Sequence, residues 1–506
     1  MNDKDIEIDG ESLTLDHFLS VVHDRSRCSL SAAARQRVQA ARKVVDDSVM
    51  KGQPIYGVNT GFGDLASVRI DVDRVRALQE RLVLSHCSGV GKPLDDPVVR
   101  GMLLLRANTL ARGNSGVRPV VIDHLLKLLN ADVLPIVPSR GSVGASGDLA
   151  PLAHLALALI GKGKVRAVGK ELAAADALRR LGLEPLVLQA KEGLALINGT
   201  QAMTALLALA VLAGQRLVRV ADLIAAMSTD ALRGTDAAFD ARLHALRPHP
   251  GQLQSAANLW DLLQGSGIRE SHRENDVRIQ DPYSIRCIPQ VHGAVRDILT
   301  DVERKLVIEL NSVTDNPLVF EEGAEIISGG NFHGEPMALA ADILALGLAE
   351  LGGISERRIE KLTNTAFSGL PPFLVRDPGL NSGFMIAQVT AAALVNESKT
   401  LCHPASVDSI PTSADKEDHV SMGMWANLKL QQILDNTKRV LAIELVAAAQ
   451  GIDLLRPLKS SRKIEHLHQI VRQRIDRWDE DREMAPDLNK GYDLIDELAL
   501  RFDGLH

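Results

Sequence analysis

Four long stretches of this chain are apolar on nearly every side of a helical period: 200–228, 334–362, 382–401 and 427–450. A helix that is hydrophobic all round offers water no face, so each is expected inside a bundle or against another copy of the chain. Segment 334–362 alone would extend about 40 Å at 1.5 Å per residue, well beyond an ordinary helix of about 11–12 residues. Shorter helical runs fall near 74–87, 97–112, 117–130 and 151–161, separated by loops at Gly52-Gln53-Pro54, Gly91-Lys92-Pro93 and Pro135-Ile136-Val137-Pro138. Strand signals are few, the best being the turn-rich 163–172. The stretch from Gly369-Leu370-Pro371-Pro372 to Pro378-Gly379 separates two of the long helices. These patterns predict a mainly α fold, with a smaller, mostly helical N-terminal domain over 1–197 and a long helical bundle over 198–506.

Composition narrows the function classes. The 506 residues suffice for a large buried core, and a net charge of −7 with mixed signs argues against a nucleic-acid surface. Cys28, Cys87, Cys287 and Cys402 are scattered without a C-x-x-C pair, so neither a zinc site nor a disulfide framework is expected. His272, His292, His333 and His403 show no short ligand spacing either and read as buried or surface histidines. The N-terminus lacks the basic and apolar regions of a signal peptide, and charges interrupt the apolar stretches. A cytoplasmic protein bound neither to membrane nor to nucleic acid is expected.

The chemistry-bearing signal is G141-S-V-G-A-S-G-D-L-A-P-L-A-H-L. Its glycines are not in G-x-G-x-x-G spacing and no Lys-Ser or Lys-Thr follows, which excludes the usual phosphate loops. Pro151, with Leu152, Leu155, Leu159 and Ile160 at helical spacing, predicts a helix that begins just after the tripeptide Ala145-Ser146-Gly147. Two readings are open at this point. One is a glycine-rich turn feeding a helix. The other is a backbone ring: the Gly147 nitrogen attacks the Ala145 carbonyl, and loss of two waters, one from the Ser146 hydroxyl, leaves a methylene that is a strong carbon electrophile. Only a glycine nitrogen allows so tight a turn at low steric cost.

Six further loops mix polar and aromatic groups: Y56-G-V-N-T-G-F-G63, S85-H-C-S-G-V-G91, I197-N-G-T-Q201, Q280-D-P-Y-S-I-R-C-I-P-Q290, S328-G-G-N-F-H-G-E335 and S413-A-D-K-E-D-H-V420. Singly, each has a plain structural explanation. Taken with A-S-G-D and in this order, they closely resemble the aromatic amino acid ammonia-lyase family over roughly residues 10–490.

The resemblance implies a fumarase- and aspartase-like homotetramer whose active sites each draw on three subunits. It implies that Ala145-Ser146-Gly147 matures by itself into 4-methylidene-imidazol-5-one, with no external cofactor and no metal. It implies Tyr56 as the base, although a phenol, which ordinarily titrates at about pH 10, serves only if neighbours stabilise its phenolate. Arg286 becomes the bidentate anchor of a substrate carboxylate, with Tyr283 and Gln280 completing that wall. Asn198 is implied beside the electrophile and the reacting centre, and Phe332 packs next to them.

Ser85-His86 resembles the histidine-specific members, and Glu417 matches their carboxylate at the far end of the pocket. Together they imply L-histidine as substrate and trans-urocanate with ammonia as products. The rival readings are a tyrosine ammonia-lyase, an aromatic aminomutase, or a non-enzymatic helical scaffold; the S-x-M-P-x-K-x-N loop of a fumarase-like enzyme is absent. One departure stands out: Asp415-Lys416 replaces the two amides that many bacterial relatives carry next to Glu417, which puts the role of Glu417 in question.

Overall fold

A computed structural model describes residues 5–52, 55–61, 68–274, 276 and 278–502. Gln53, Pro54, Phe62 and Gly63, named above as loop residues, lie outside them. Among the described residues the fold is mainly α, and no strand exceeds four residues.

The short helical runs appear as α1 (Val75–His86), α2 (Asp96–Ala111), α3 (Pro119–Asn130) and α4 (Leu149–Leu159), followed by the six-residue α5 (Glu192–Ile197). Prolines at the start of α2 and α3 cost those helices nothing, because first-turn amides have no intrahelical acceptor. The long apolar runs appear as α6 (Gln201–Ala231), α8 (Glu335–Thr363), α9 (Met385–Leu401) and α10 (Gly423–Leu454), with α7 (Ile288–Leu310) between the first two. The turn-rich 163–172 forms an antiparallel hairpin of Lys164–Ala167 with Lys170–Ala173. The polar helix Ala32–Lys51 and α7 were not foreseen: both mix charges into the apolar stripe.

The chain divides into two compact units. Unit 1 comprises residues up to Leu209 with Glu303–Asp342 and Pro404–Leu428; unit 2 comprises Ala210–Val302, Ile343–His403 and the residues from Lys429 on. A single boundary at 197/198 was expected. Of the five boundaries between the segments of these units, those at 209, 302, 342 and 428 fall inside α6, α7, α8 and α10, and the one at 403 follows α9.

Within unit 1, α1, α4 and α5 pack on one another in pairs, and α2 packs on α3. Helix α2 is buried from Val98 to Ala111. Within unit 2, α9 buries only Ala387, Ala391, Val395 and Ser398, while Met385, Ile386 and Val389 are exposed.

Among the described residues two helices, α6 and α8, are long and apolar enough to cross a bilayer by length and composition, contrary to the expectation that charges would interrupt them. Their most apolar windows are 67% and 61% buried inside the protein, as core helices are. Among the described residues none of the four cysteines is in a disulfide.

Candidate active site

The packed trio α1, α4 and α5 brings three parts of the expected site to one place. His86 closes α1, the tripeptide is separated from α4 by the cap residue Asp148, and Asn198 follows α5. His86, Ala145, Ser146 and Asn198 line a pocket of about 680 Å³ together with Tyr56, Phe332 and Glu417, all within unit 1.

The loop bearing the tripeptide is held from several sides. Val143 and Gly144 carbonyls accept from the Met422 and Gly334 amides at 2.8 and 3.2 Å, and Ser421 Oγ donates to the Gly144 carbonyl at 3.0 Å. Gly147 pairs with Gly199 across a parallel bridge, and the Asp148 amide donates to the Gly199 carbonyl at 2.7 Å. Glycine at 147 is required twice: its φ is +69°, and a Cβ there would lie 2.2 Å from the Gly199 oxygen.

Asp148, completely buried, is the clamp of this loop. Its Oδ2 accepts from the Ala202 and Met203 amides at 2.9 Å each, satisfying the first turn of α6, and its Oδ1 accepts from Ser142 Oγ at 3.0 Å. Burial pushes the Asp148 carboxyl up to about 6, against the pull of those amides and the Ser142 hydroxyl. The hold of Asp148 on the first turn of α6, 54 residues away, is a tertiary fact.

Ser146 Oγ donates to Glu417 Oε1 at 2.7 Å. The other carboxylate oxygen accepts from Thr412 Oγ1 at 2.7 Å and Ser413 Oγ at 3.0 Å. Burial alone would raise the Glu417 carboxyl, but these three hydroxyls and the nearby His86 hold it below the usual carboxylate range. Glu417 was expected at the far end of the pocket; the structure sets its carboxylate against the tripeptide. Residues Thr412 and Glu417 bond through their backbones, closing a tight loop in which Ser413, Ala414 and Asp415 all take left-handed φ of 51–63°. Asp415 therefore occupies a backbone conformation that Asn or Gly would adopt more readily. Its neighbour Lys416 lines the pocket.

His86 Nδ1 lies 2.9 Å from the Leu82 carbonyl and 3.0 Å from Ser85 Oγ, and Ser85 Oγ itself donates to Leu82 at 3.0 Å. A carbonyl can only accept, so Nδ1 carries the proton and Nε2 of the neutral ring is an acceptor. Burial keeps the ring neutral by lowering its pKa, against the opposing influence of the Leu82 carbonyl and Glu417.

Asn198 is buried; its Nδ2 donates to the Asn316 carbonyl at 3.1 Å, and among the described residues its Oδ1 has no partner. Gln280, Tyr283 and Arg286 belong to unit 2, and the pocket's lining includes none of them. There Tyr283 is 70% exposed, with the Arg286 guanidinium 4.6 Å above its ring. No arginine is found among the described residues lining the pocket. Sequence reasoning missed Leu82, Leu194, Asn316 and the stacked pair His333 and His419, with ring centroids 5.8 Å apart. Their signal was adjacency: His333 follows Phe332 and His419 lies two residues past Glu417. Among the described residues no cluster of three or more His, Cys, Asp or Glu side chains could hold a metal ion.

The aromatic amino acid lyase family profile matches residues 13–473. A histidine ammonia-lyase of Anaeromyxobacter sp. (strain K) is 53% identical over 501 residues, covering 97% of this chain and 99% of that protein. One from Deinococcus radiodurans is 56% identical over 476 residues, covering 94% and 91%. The crystal structure of histidine ammonia-lyase from Trypanosoma cruzi superposes with a TM-score of 0.90 at 46% identity, covering 98% of this chain and 94% of that one.

Proposed function

The chain belongs to the aromatic amino acid lyase family, and from that premise we infer that it is a carbon–nitrogen lyase that removes ammonia from L-histidine to give trans-urocanate. The observation that carries this reading is Ser146 hydrogen-bonded to Glu417 on the wall of a pocket that also presents His86.

The electrophile proposed for that wall is 4-methylidene-imidazol-5-one, made from Ala145-Ser146-Gly147. The residues fit it: Gly147 has the required φ and no room for a Cβ, and Asn198 Oδ1 is buried without a partner. Such a ring supplies a methylene to which an amine adds, turning a poor leaving group into a better one. The side chains around it then divide the remaining work. His86 Nε2 accepts the N–H of a substrate imidazole. Once the Ser146 hydroxyl is lost, Glu417 Oε1 has no other donor and is available to the substrate, while Thr412 and Ser413 keep the carboxylate in place. Tyr56 is proposed as the base for the β-proton, and Phe332 dries the pocket, which strengthens each charge interaction in it.

A pocket without an arginine needs a carboxylate anchor. We assign it to Arg286, with Tyr283 and Gln280, of a partner subunit in a homotetramer whose sites are each shared among three subunits. The exposed Met385, Ile386 and Val389 on α9 support burial against a second copy. Four cysteines without a disulfide among the described residues fit the reducing cytoplasm in which we place the protein.

Incubation with histidine, tyrosine and phenylalanine tests the activity: urocanate is expected as the major product, and coumarate as the major product would overturn the His86 assignment. Mixed refolding tests the assembly. Ser146→Ala and Arg286→Gln chains, each inactive alone, are expected to regain activity together; no recovery would place both groups of a site on one subunit.

A further inference from the structure

Arg106, on α2, has no exposed surface and takes no part in the chemistry above. Its Nη1 donates to the Asn198 carbonyl at 2.9 Å and to Gln201 Oε1 at 2.9 Å, with the Thr314 carbonyl at 3.4 Å. Gln201 is itself fixed, since its Nε2 donates to Thr314 Oγ1 at 2.7 Å and Thr109 Oγ1 at 3.1 Å. The guanidinium therefore acts on the Asn198-Gly199 turn from a rigid base. The approach is close: a Cβ on Gly199 would lie 2.4 Å from Arg106 Nη1. On its other side Gly199 pairs with Gly147 and accepts the Asp148 amide. Contact thus runs from Arg106 through Asn198-Gly199 to Gly147-Asp148 without a gap.

Burial lowers the Arg106 pKa to about 10, with Asp315 pulling the other way, so the group is a cation at neutral pH. Among the described residues its Nε and Nη2 have no partner. A buried cation left half-satisfied is costly to a fold and calls for an explanation.

Resting on the reading of Ala145-Ser146-Gly147 as the precursor of the electrophile, we propose that Arg106 is a positioning residue for ring closure, fixing the Asn198-Gly199 turn against which the tripeptide folds. In that closure the Gly147 nitrogen bonds the Ala145 carbonyl carbon, whose oxygen leaves as water with the Gly147 and Ser146 amide protons. The Ser146 hydroxyl leaves with the Ser146 α-proton as the second water, and no oxidant or reductant is needed. Arg106 takes no proton; it holds two acceptors, the Asn198 carbonyl and Gln201 Oε1, at once. Both bonds leave the one nitrogen Nη1, whose two N–H directions are fixed by the rigid guanidinium plane; a lysine keeps the charge but carries it on a rotating ammonium at the end of a flexible stem, which does not fix those directions.

The test is intact mass and steady-state kinetics on purified full-length Arg106→Met and Arg106→Lys chains, with Arg106→Lys serving as the variant in which the buried charge, and with it the fold, is kept. The share of folded chains lighter by two waters is expected to fall at least fivefold in both. The kcat per total chain should fall by the same factor, and KM for histidine should stay within twofold of the parent. Complete dehydration with the parent's kcat would overturn the proposal. So would complete dehydration with a raised KM, which would place Arg106 at the substrate instead. If the parent chain itself shows its full unmodified mass, the reading of the tripeptide fails, and that outcome is distinct because no difference between parent and variants then exists.

Discussion

Replacing Ser146 with alanine is expected to lower kcat for histidine by on the order of 10³-fold or more and to leave the chain at its full sequence mass, whereas the natural chain is expected to be lighter by two waters. The argument is local. Without the hydroxyl there is no second water to lose and no methylene to form, so an amine finds only an ordinary backbone. The fold should survive, because Ser146 makes one side-chain hydrogen bond, to Glu417, and that carboxylate keeps Thr412 and Ser413. Intact mass and circular dichroism on the same sample separate lost chemistry from lost structure. A Ser146→Ala enzyme within tenfold of the parent rate would refute the covalent mechanism.

Histidine should be turned over with a kcat/KM about 10⁴–10⁵-fold above that for phenylalanine, since a site built to pair polar groups rejects a ring that leaves them unpaired. The structure says which group does so at His86. Because Nδ1–H is committed to the Leu82 carbonyl, the pocket presents a bare Nε2 acceptor, and a phenyl ring has nothing to donate to it. His86→Leu removes the acceptor and is expected to cut the preference by about 10²-fold, mostly by loss of histidine turnover. Ratios of kcat/KM for the two substrates, measured in parent and variant, decide it. An unchanged ratio would move specificity away from His86.

Much of the scaffold was legible in the sequence because helical periodicity is a local property. The runs near 74–87, 97–112, 117–130 and 151–161 reappear within about two residues as α1 to α4, and the long apolar runs as α6, α8, α9 and α10. Where the pattern was diluted by charge, as in Ala32–Lys51 and α7, it was not read. A division at 197/198 was expected from the change in helix length along the chain, whereas the two compact units are each assembled from segments far apart in the sequence, which periodicity does not encode.

The sequence alone determined the element from which the proposed electrophile would form: three residues small enough to close a ring, set before a helix, the last a glycine that proves to have positive φ. It also named the loops from which a site would be drawn. What it could not supply was distance. That Asp148 caps α6, that Glu417 meets Ser146, that the His86 proton points to Leu82 and that Arg106 stands behind Asn198 are contacts between residues separated by up to 271 positions, apart from the single-turn bond of His86. Hydrogen bonds and desolvation depend on separations of a few ångströms, which periodicity along one chain does not encode; packing α1, α4 and α5 against each other created them.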